Sequence, residues 1–333
     1  MIRGRVVIAA VVSINLCLII YLISNQQTRN PETTEAIYRD CKTESPEDPL
    51  IDFANFSYLI EQPPCQMKTK GLILIHSAPK NFEKRAVIRE TWGGVNSIEN
   101  SPLRVIFAFG KVDNIIIQSA LNTEQSMFGD LLQGSFIDTY NNVTYKHAMV
   151  LKWFNKYCAN AKLLIKLDDD VFINTGKLIE NLVDPKPAKN ELDTFLQKSE
   201  NLLFCGLNRR NPVIRNPNSK WYVSLEEYPD EYYPECCAGF LVIYSPDTAR
   251  RLYEEVQKAP YFRIDDVYIT GTMSKRANIT ITNSSPFVIS NSQMNALIKG
   301  EIPVNSINFL VSFHNIDPEQ MKSLWNFTQT AKD

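Results

Sequence analysis

Leu163-Leu164-Ile165-Lys166-Leu167-Asp168-Asp169-Asp170-Val171-Phe172-Ile173-Asn174 is an apolar run that meets three consecutive carboxylates and turns apolar again. The run before them is too short for a membrane helix and rich enough in Leu and Ile for a buried strand. Side chains alternate along a strand, so Asp168 and Asp170 are expected on one face and Asp169 on the other. Three adjacent negative charges at the end of a buried strand repel one another and lose hydration. A hard divalent ion with oxygen ligands would offset that cost, and Mg²⁺ or Mn²⁺ commonly bridges carboxylates to a substrate's phosphates. The plainer alternative is an acidic turn closing a strand in solvent. An EF-hand is excluded. Its fifth and sixth loop positions, counted from Asp168, would be Phe172 and Ile173, where an oxygen ligand and a glycine are needed.

Strand and helix patterns alternate on the N-terminal side of this run. Gly71 to His76 reads as a buried strand. A helix capped by Asn81 follows and runs through Trp92, where Gly93-Gly94 stops it. Leu103 to Phe109 is an expected strand ended by Gly110, Asn114 to Phe128 a helix, Ser135 to Thr139 a short strand, and Tyr145 to Tyr157 a helix. Thr175 to Leu182 follows the acidic run as a short helix. Such alternation predicts an α/β sheet with helices on both faces. Ligands of such sheets sit beyond the carboxyl ends of the strands, where the three aspartates fall. The second half is less regular. Leu202 to Leu207 and Phe240 to Tyr244 read as strands, and Asn208 to Asn218 as a polar surface loop. Pro246 to Lys258 reads as a helix capped by Ser245, and Asp317-Pro318 opens a last helix.

The chain of 333 residues has ordinary globular composition, a net charge of −2 and no basic tract, so nothing points to nucleic acid. Val6 to Ile23 is its one membrane-length apolar segment. Its eighteen residues would span about 27 Å as a helix, against a hydrocarbon core of about 30 Å. Arg3 and Arg5 precede it and no Lys or Arg follows until Arg29, which leaves residues 1–5 as a cytoplasmic tail and sends the rest across the membrane. No small-x-small cleavage site follows, so an uncleaved signal-anchor is expected rather than a signal peptide. Residues 24–49 read as a polar stem, and the folded domain as 50–333. Cys41, Cys65, Cys158, Cys205, Cys236 and Cys237 would lie on the oxidising side, with a pairing the spacing does not reveal. Sequons beginning at Asn55, Asn142, Asn278, Asn283 and Asn326 are glycosylation candidates there.

A second acidic pair, Asp265-Asp266, stands about a hundred residues beyond the first cluster. One cluster can hold a metal while the other supplies a general base toward a hydroxyl. A helix N-terminus that welcomes carboxylates explains the second pair equally well. Arg85 and Arg89 share a helix face and could bind phosphate, or form a solvated face. The three histidines are His76, His147 and His314, and each reads as structural when taken alone. No G-x-S-x-G, P-loop or GxGxxG pattern occurs, and nothing marks a cysteine nucleophile.

Several segments occur in the order found in the β-1,3-glycosyltransferases of glycosyltransferase family 31, which this chain resembles over roughly residues 50–330. They are Arg85 to Trp92 (similar to RxxIRxTW), Phe107 to Gly110, Asp138 to Lys146 (similar to D-x-Y-x-N-L-T-x-K), Lys166 to Phe172 (similar to KxDDDxF), Tyr233-Pro234 through Gly239, and Asp266-Val267-Tyr268 with Gly271. Two departures stand out: Glu235-Cys236-Cys237 follows Tyr233-Pro234, and the family's E-D-V reads Asp265-Asp266-Val267. The resemblance implies a GT-A nucleotide-sugar fold in the Golgi membrane, type II, with UDP-sugar as donor, Mn²⁺ as cofactor and an acceptor glycan on glycoprotein or glycolipid as partner. A homodimer is among the assemblies it allows. It implies Asp170 with Asp168 or Asp169, and His314, on the metal. Arg85, Arg89, Asp138, Lys146, Asp168 and Asp169 would lie on the nucleotide side, Asp266 would be the catalytic base, and Asp265 would stand beside it. The expected reaction is an inverting transfer of galactose or an N-acetylhexosamine that forms a β-1,3 linkage. The rival readings are a luminal metal-dependent phosphohydrolase, which would release phosphate without a sugar acceptor, and a non-catalytic glycan-binding or chaperone relative.

Overall fold

The computed structural model describes residues 50–51, 56–97, 100–303 and 306–330. The expected anchor 6–23, its cytoplasmic tail, the stem, Cys41 and Asn55 lie outside the described residues. Within those residues no helix is long and apolar enough to cross a membrane.

Among the described residues the main sheet has eight strands in the order β1-β4-β3-β2-β5-β7-β6-β8. These are β1 (Tyr58–Ile60), β2 (Gly71–His76), β3 (Leu103–Lys111), β4 (Leu131–Ile137), β5 (Leu163–Asp168), β6 (Leu203–Asn208), β7 (Cys236–Tyr244) and β8 (Ile281–Asn283). Strands β2 to β5 run parallel, whereas β7 is antiparallel to both β5 and β6. A small pair, β9 (Val288–Ile289) with β10 (Val311–Ser312), lies apart from it. The helices are α1 (Phe82–Glu90), α2 (Ile115–Phe128), α3 (Val143–Tyr157), α4 (Thr175–Leu182), α5 (Glu191–Leu196), α6 (Pro246–Val256), α7 (Asn291–Ile298) and α8 (Pro318–Thr330). A π-helical segment, Asp266–Met273, follows the second acidic pair.

The central strands are buried on both faces, which is why they read as unbroken apolar runs. Ile73 and Ile75 of β2 join Val87 and Ile88 of α1, Leu178 of α4 and Leu324 of α8 in one core. Leu72 and Leu74 face the other way, toward Met149 and Trp153 of α3 and Leu252 of α6. Among the described residues two disulfides, Cys65–Cys158 and Cys205–Cys237, tie the entry of the fold to α3 and staple β6 to β7, and Cys236 is a buried free thiol.

The structure shifts several expected boundaries. Strand β3 continues through Gly110 to Lys111, because Gly110 packs against Phe136 with no room for a Cβ: one placed there would lie 2.5 Å from the Phe136 carbonyl oxygen. Helix α1 ends at Glu90, and Gly93-Gly94 sit inside a following 3₁₀ segment, Trp92–Ser97. Neither Asn81 nor Ser245 caps its helix through its side chain. The Asn81 amide is taken by Asp169, and the Ser245 hydroxyl by Asp247 and Thr248. Asn114 and Asn174 do cap theirs.

Candidate active site

Parallel strands β2, β3, β4 and β5 all end on one edge of the sheet. That edge collects Ser77, Gly110, Asp138 and the three aspartates, because each lies at or just past its strand's carboxyl end. The antiparallel β7 brings Gly239 to the same edge, with Leu241 opposite Leu167. The sheet order thus assembles residues that are far apart in sequence.

Asp168 is the last residue of β5, and Asp169-Asp170 turn away from the strand. Asp169 is locked: it accepts from Ser77 Oγ at 2.8 Å, Asn81 Nδ2 at 2.7 Å and Lys84 Nζ at 3.0 Å. Its side chain is only 8% exposed, whereas Asp168 and Asp170 keep 39% and 20%. The two outer carboxylates are therefore the pair that opens outward. Asp170 also anchors the chain from 310 to 316, through Ile316 N–H to its carbonyl at 3.2 Å, while Ser312 exchanges bonds with Phe172. That segment carries His314, whose ring packs on Phe240 and Phe313 with centroids 5.8 and 4.4 Å away and pairs with the Asn315 amide. Among the described residues no three His, Cys, Asp or Glu side chains are gathered round one metal position. Two open carboxylates with an imidazole on the adjoining segment are nevertheless a donor set suited to a hard divalent cation.

Asp138 and Lys146 lock the edge. Asp138 Oδ2 accepts from Gly110 N–H at 2.6 Å and from Lys146 Nζ at 2.9 Å, and Lys146 also donates to the Ser77 carbonyl at 2.8 Å. One ion pair thereby ties the ends of β2, β3 and β4. The two arginines are turned inward. Arg85 is fully buried and holds Glu124 at 2.7 Å, Ser77 Oγ, and the Ala78 and Pro79 carbonyls. Arg89 is held by Glu124 at 2.7 Å and Asp130 at 2.8 Å. A solvated arginine face is overturned, since buried carboxylates take both guanidinium groups. Arg85 thereby shapes the 77–79 turn that supports Asp169, while Arg89 ties α1 to Glu124 and Asp130.

Asp265 and Asp266 open the π-helical segment on the β7 side of the edge. Asp265 accepts from His147 Nδ1 at 2.9 Å, and His147 Nε2 meets the Tyr244 hydroxyl at 2.7 Å. Burial lowers the His147 pKa despite the neighbouring carboxylate, and burial with the charges of Asp265 and Asp266 pushes the Tyr244 hydroxyl well up. Tyr244 therefore donates to a neutral imidazole, which donates its own proton to Asp265. Burial opposes the charge on Asp265, but the His147 bond and the Lys166 ammonium hold its carboxyl below the usual range. Asp266 is the opposite case: burial and then the Asp265 charge push its carboxyl well above. Its Oδ2 accepts from Gly239 N–H at 3.1 Å, while Oδ1 is shielded from solvent and has no hydrogen-bond partner. A Cβ on residue 239 would lie 2.1 Å from that Oδ1, so only glycine fits.

Lys166 joins the two acidic clusters. Its ammonium bonds Asp168 Oδ1 at 2.9 Å and the Gly239 carbonyl at 2.5 Å. Burial opposes its charge, and Asp168, Asp265 and Asp266 together outweigh that and raise its pKa. Neither Lys166 nor His147 is marked by its sequence surroundings as a site residue on its own. Lys166 was legible in principle, since it stands two residues before Asp168 on one strand face. His147 carried no local signal, because its partners lie 118 and 97 residues away.

The sequon at Asn142 is folded into the start of α3: its amide donates to the Ile137 carbonyl at 2.8 Å, and Thr144 is buried with its hydroxyl on the Phe262 carbonyl. Asn278, Asn283 and Asn326 are exposed.

An α/β sheet whose carboxyl edge carries two carboxylate clusters bridged by a buried ammonium defines an enzyme site rather than a packing surface. Residues 83–285 match the family model described as Galactosyltransferase. The chain is 31% identical over 280 residues to beta-1,3-galactosyltransferase 1 of mouse and of human, covering 84% of this chain and 80% of theirs. It is 32% identical over 211 residues to beta-1,3-galactosyltransferase 5 of gorilla, covering 63% of this chain and 66% of that one. Among solved structures, the galactosyltransferase LgtC with donor and acceptor sugar analogues aligns over 78% of this chain and 95% of its own at 10% identity, with a TM-score of 0.36. The family match and the beta-1,3-galactosyltransferase relatives make the chain a sugar-transferring enzyme. It belongs to the Galactosyltransferase family.

Proposed function

We propose that this glycosyltransferase is of the GT-A type and inverting, moving galactose or an N-acetylhexosamine from a UDP-sugar to the 3-hydroxyl of an acceptor glycan, with a β-1,3 linkage as product. The observation that carries the reading is the Asp266 carboxylate. One oxygen is pinned by Gly239 N–H and the other is shielded and unpartnered, beside a second acidic cluster. An oxygen so placed can accept the proton of an attacking hydroxyl. Its raised affinity for a proton makes it a stronger base than an exposed aspartate. Asp265, held ionised by His147, keeps that affinity high, and Lys166 limits the repulsion between the two clusters.

Asp168 and Asp170, with His314 on the adjoining segment, would hold Mn²⁺. Bound there, the ion would neutralise the diphosphate that leaves with the broken sugar bond. The chain's own residues orient the rest. Asp169 with Ser77, Asn81 and Lys84 stiffens the floor, and the Asp138–Lys146 pair, with Arg85 behind it, shapes the strand ends that would receive the nucleotide. The relatives' names, both beta-1,3-galactosyltransferases, favour galactose as donor and the 3-hydroxyl as acceptor. Residues 6–23 would anchor the enzyme in the Golgi membrane with the catalytic domain luminal.

Assays of UDP release with Mn²⁺, a UDP-sugar panel and glycan acceptors test this directly. Asp266→Asn is expected to lower transfer at least about 10²-fold, the lower end of general-base contributions, while UDP still binds. Asp170→Ala should weaken metal-dependent UDP binding in calorimetry. Full transfer by the Asp266 variant would remove that residue from its role.

A further inference from the structure

The β6–β7 connection, residues 209–235, belongs to none of the chemistry above, yet it is tightly built. Arg215 organises it by donating to the carbonyls of Val223 at 2.9 Å, Ser224 at 2.7 Å, Tyr228 at 2.7 Å and Asp230 at 2.9 Å. Val213 and Val223 pack with Val267, the residue after Asp266, in a small core of their own. Arg263, two residues before Asp265, bonds Glu227 of this loop at 3.2 Å and Asn141 at 3.4 Å. The loop is therefore fastened to the carboxylate pair from two sides.

This frame holds Lys220 and Trp221 beside Tyr140. The Lys220 ammonium lies 4.3 Å from the Trp221 ring centroid and 5.5 Å from that of Tyr140. The Tyr140 hydroxyl is pushed up to about 12 by burial and by the charges of Asp265 and Asp266. Both rings remain half exposed, Tyr140 at 48% and Trp221 at 49%. Large apolar rings fixed on an ordered frame and left wet mark a ligand surface.

We propose that Tyr140 and Trp221 form the platform on which a pyranose ring of the acceptor glycan stacks, presenting its hydroxyl to Asp266. The inference rests on the transferase reading and adds where the acceptor sits. A pyranose offers a face of polarised C–H groups that suits the negative face of an aromatic ring. The position favours the acceptor over the donor: Trp221 is carried by the loop fastened to the Asp265–Asp266 side, and Tyr140 follows the end of β4, so the platform lies between the carboxylate pair and the strand ends assigned to the nucleotide. Lys220, in an exposed cation–π contact of the weaker kind, holds the two rings in register without sealing them.

The test uses the full-length protein in detergent micelles with UDP-galactose, Mn²⁺ and three probes: N-acetyllactosamine and the methyl β-glycosides of galactose and N-acetylglucosamine. Trp221→Ala and Tyr140→Ala should each raise the KM of the transferred acceptor about tenfold, more than they change kcat, with UDP affinity by calorimetry retained. Trp221→Phe should recover most of the loss. Of the four tryptophans Trp92 and Trp153 are fully buried and Trp325 is partly buried, so in a Trp325→Phe background an acceptor-induced change in tryptophan emission should vanish on adding Trp221→Phe. Unchanged acceptor KM in both alanine variants would overturn the platform, as would loss of UDP binding, which would make it a nucleobase site instead. A wild-type protein that binds UDP but transfers to none of the probes from UDP-galactose, UDP-N-acetylglucosamine or UDP-N-acetylgalactosamine, or binds no UDP at all, would count against the transferase reading itself.

Discussion

At the scale of single residues, Asp266 and Asp265 show how adjacent, chemically identical groups are driven apart. His147 donates to Asp265 and holds it ionised. Asp266 then meets that charge in a dehydrated site, and its carboxyl is pushed up by burial first and by Asp265 second. A base works only when deprotonated, so transfer should rise with pH through this elevated value. The acid limb of kcat/KM should lie well above the ~3.9 of an exposed aspartate. The sign for stability is opposite. A carboxyl whose folded pKa exceeds its unfolded one contributes stability that is fully present below the unfolded value and lost as pH rises through the folded one. Denaturant midpoints across pH should therefore fall with rising pH more steeply in the wild type than in Asp266→Asn. An acid limb near pH 4 would show that the site is wetter than the structure has it.

At the scale of elements, helix α1 does its work from beneath the site. Arg85 looks in sequence like a phosphate ligand, but it binds Glu124 of α2 and the carbonyls of Ala78 and Pro79. It thus couples α1, α2 and the turn after β2 that supports Asp169. Arg85→Ala would leave Glu124 with Arg89 alone in a buried setting. It should cost about 3–5 kcal/mol, read as a lowered denaturation midpoint. Lysine should not rescue it, since an ammonium lacks the fork that reaches carboxylate and carbonyls together. The elements themselves were largely legible. Gly71–His76 and Thr175–Leu182 appear with the expected boundaries, because burial on both faces and a clear cap are local signals. Asn81 departs from its expected cap for the reason Arg85 does, since its partner Asp169 lies 88 residues away, whereas Ser245 spends its hydroxyl on Asp247 and Thr248 close by.

At the scale of the whole molecule, two disulfides among the described residues brace the sheet, one tying the entry of the fold to the end of α3 and the other stapling the paired strands β6 and β7 at a register shift. Cys65–Cys158 closes 93 residues and Cys205–Cys237 closes 32. In the chain-entropy account these correspond to about 4.7 and about 3.7 kcal/mol. Removal of the first pair, as Cys65→Ala with Cys158→Ala, should therefore lower the unfolding midpoint more than removal of the second. A larger effect from the second would mean that the staple between β6 and β7 carries native-state packing as well as chain entropy. What the sequence alone determined here was the periodic part: which runs are strands and helices, that they alternate, and that acidic residues stand at a strand end. Those follow from side-chain spacing along one stretch of chain. The tertiary structure decided how each polar group is spent. It took Asp169, Arg85 and Arg89 into buried pairs, brought Lys166 and His147 into the site, and left Asp266 with an unmatched oxygen. Hydrogen-bond saturation depends on partners a hundred residues away, and only the folded sheet edge brings them within reach.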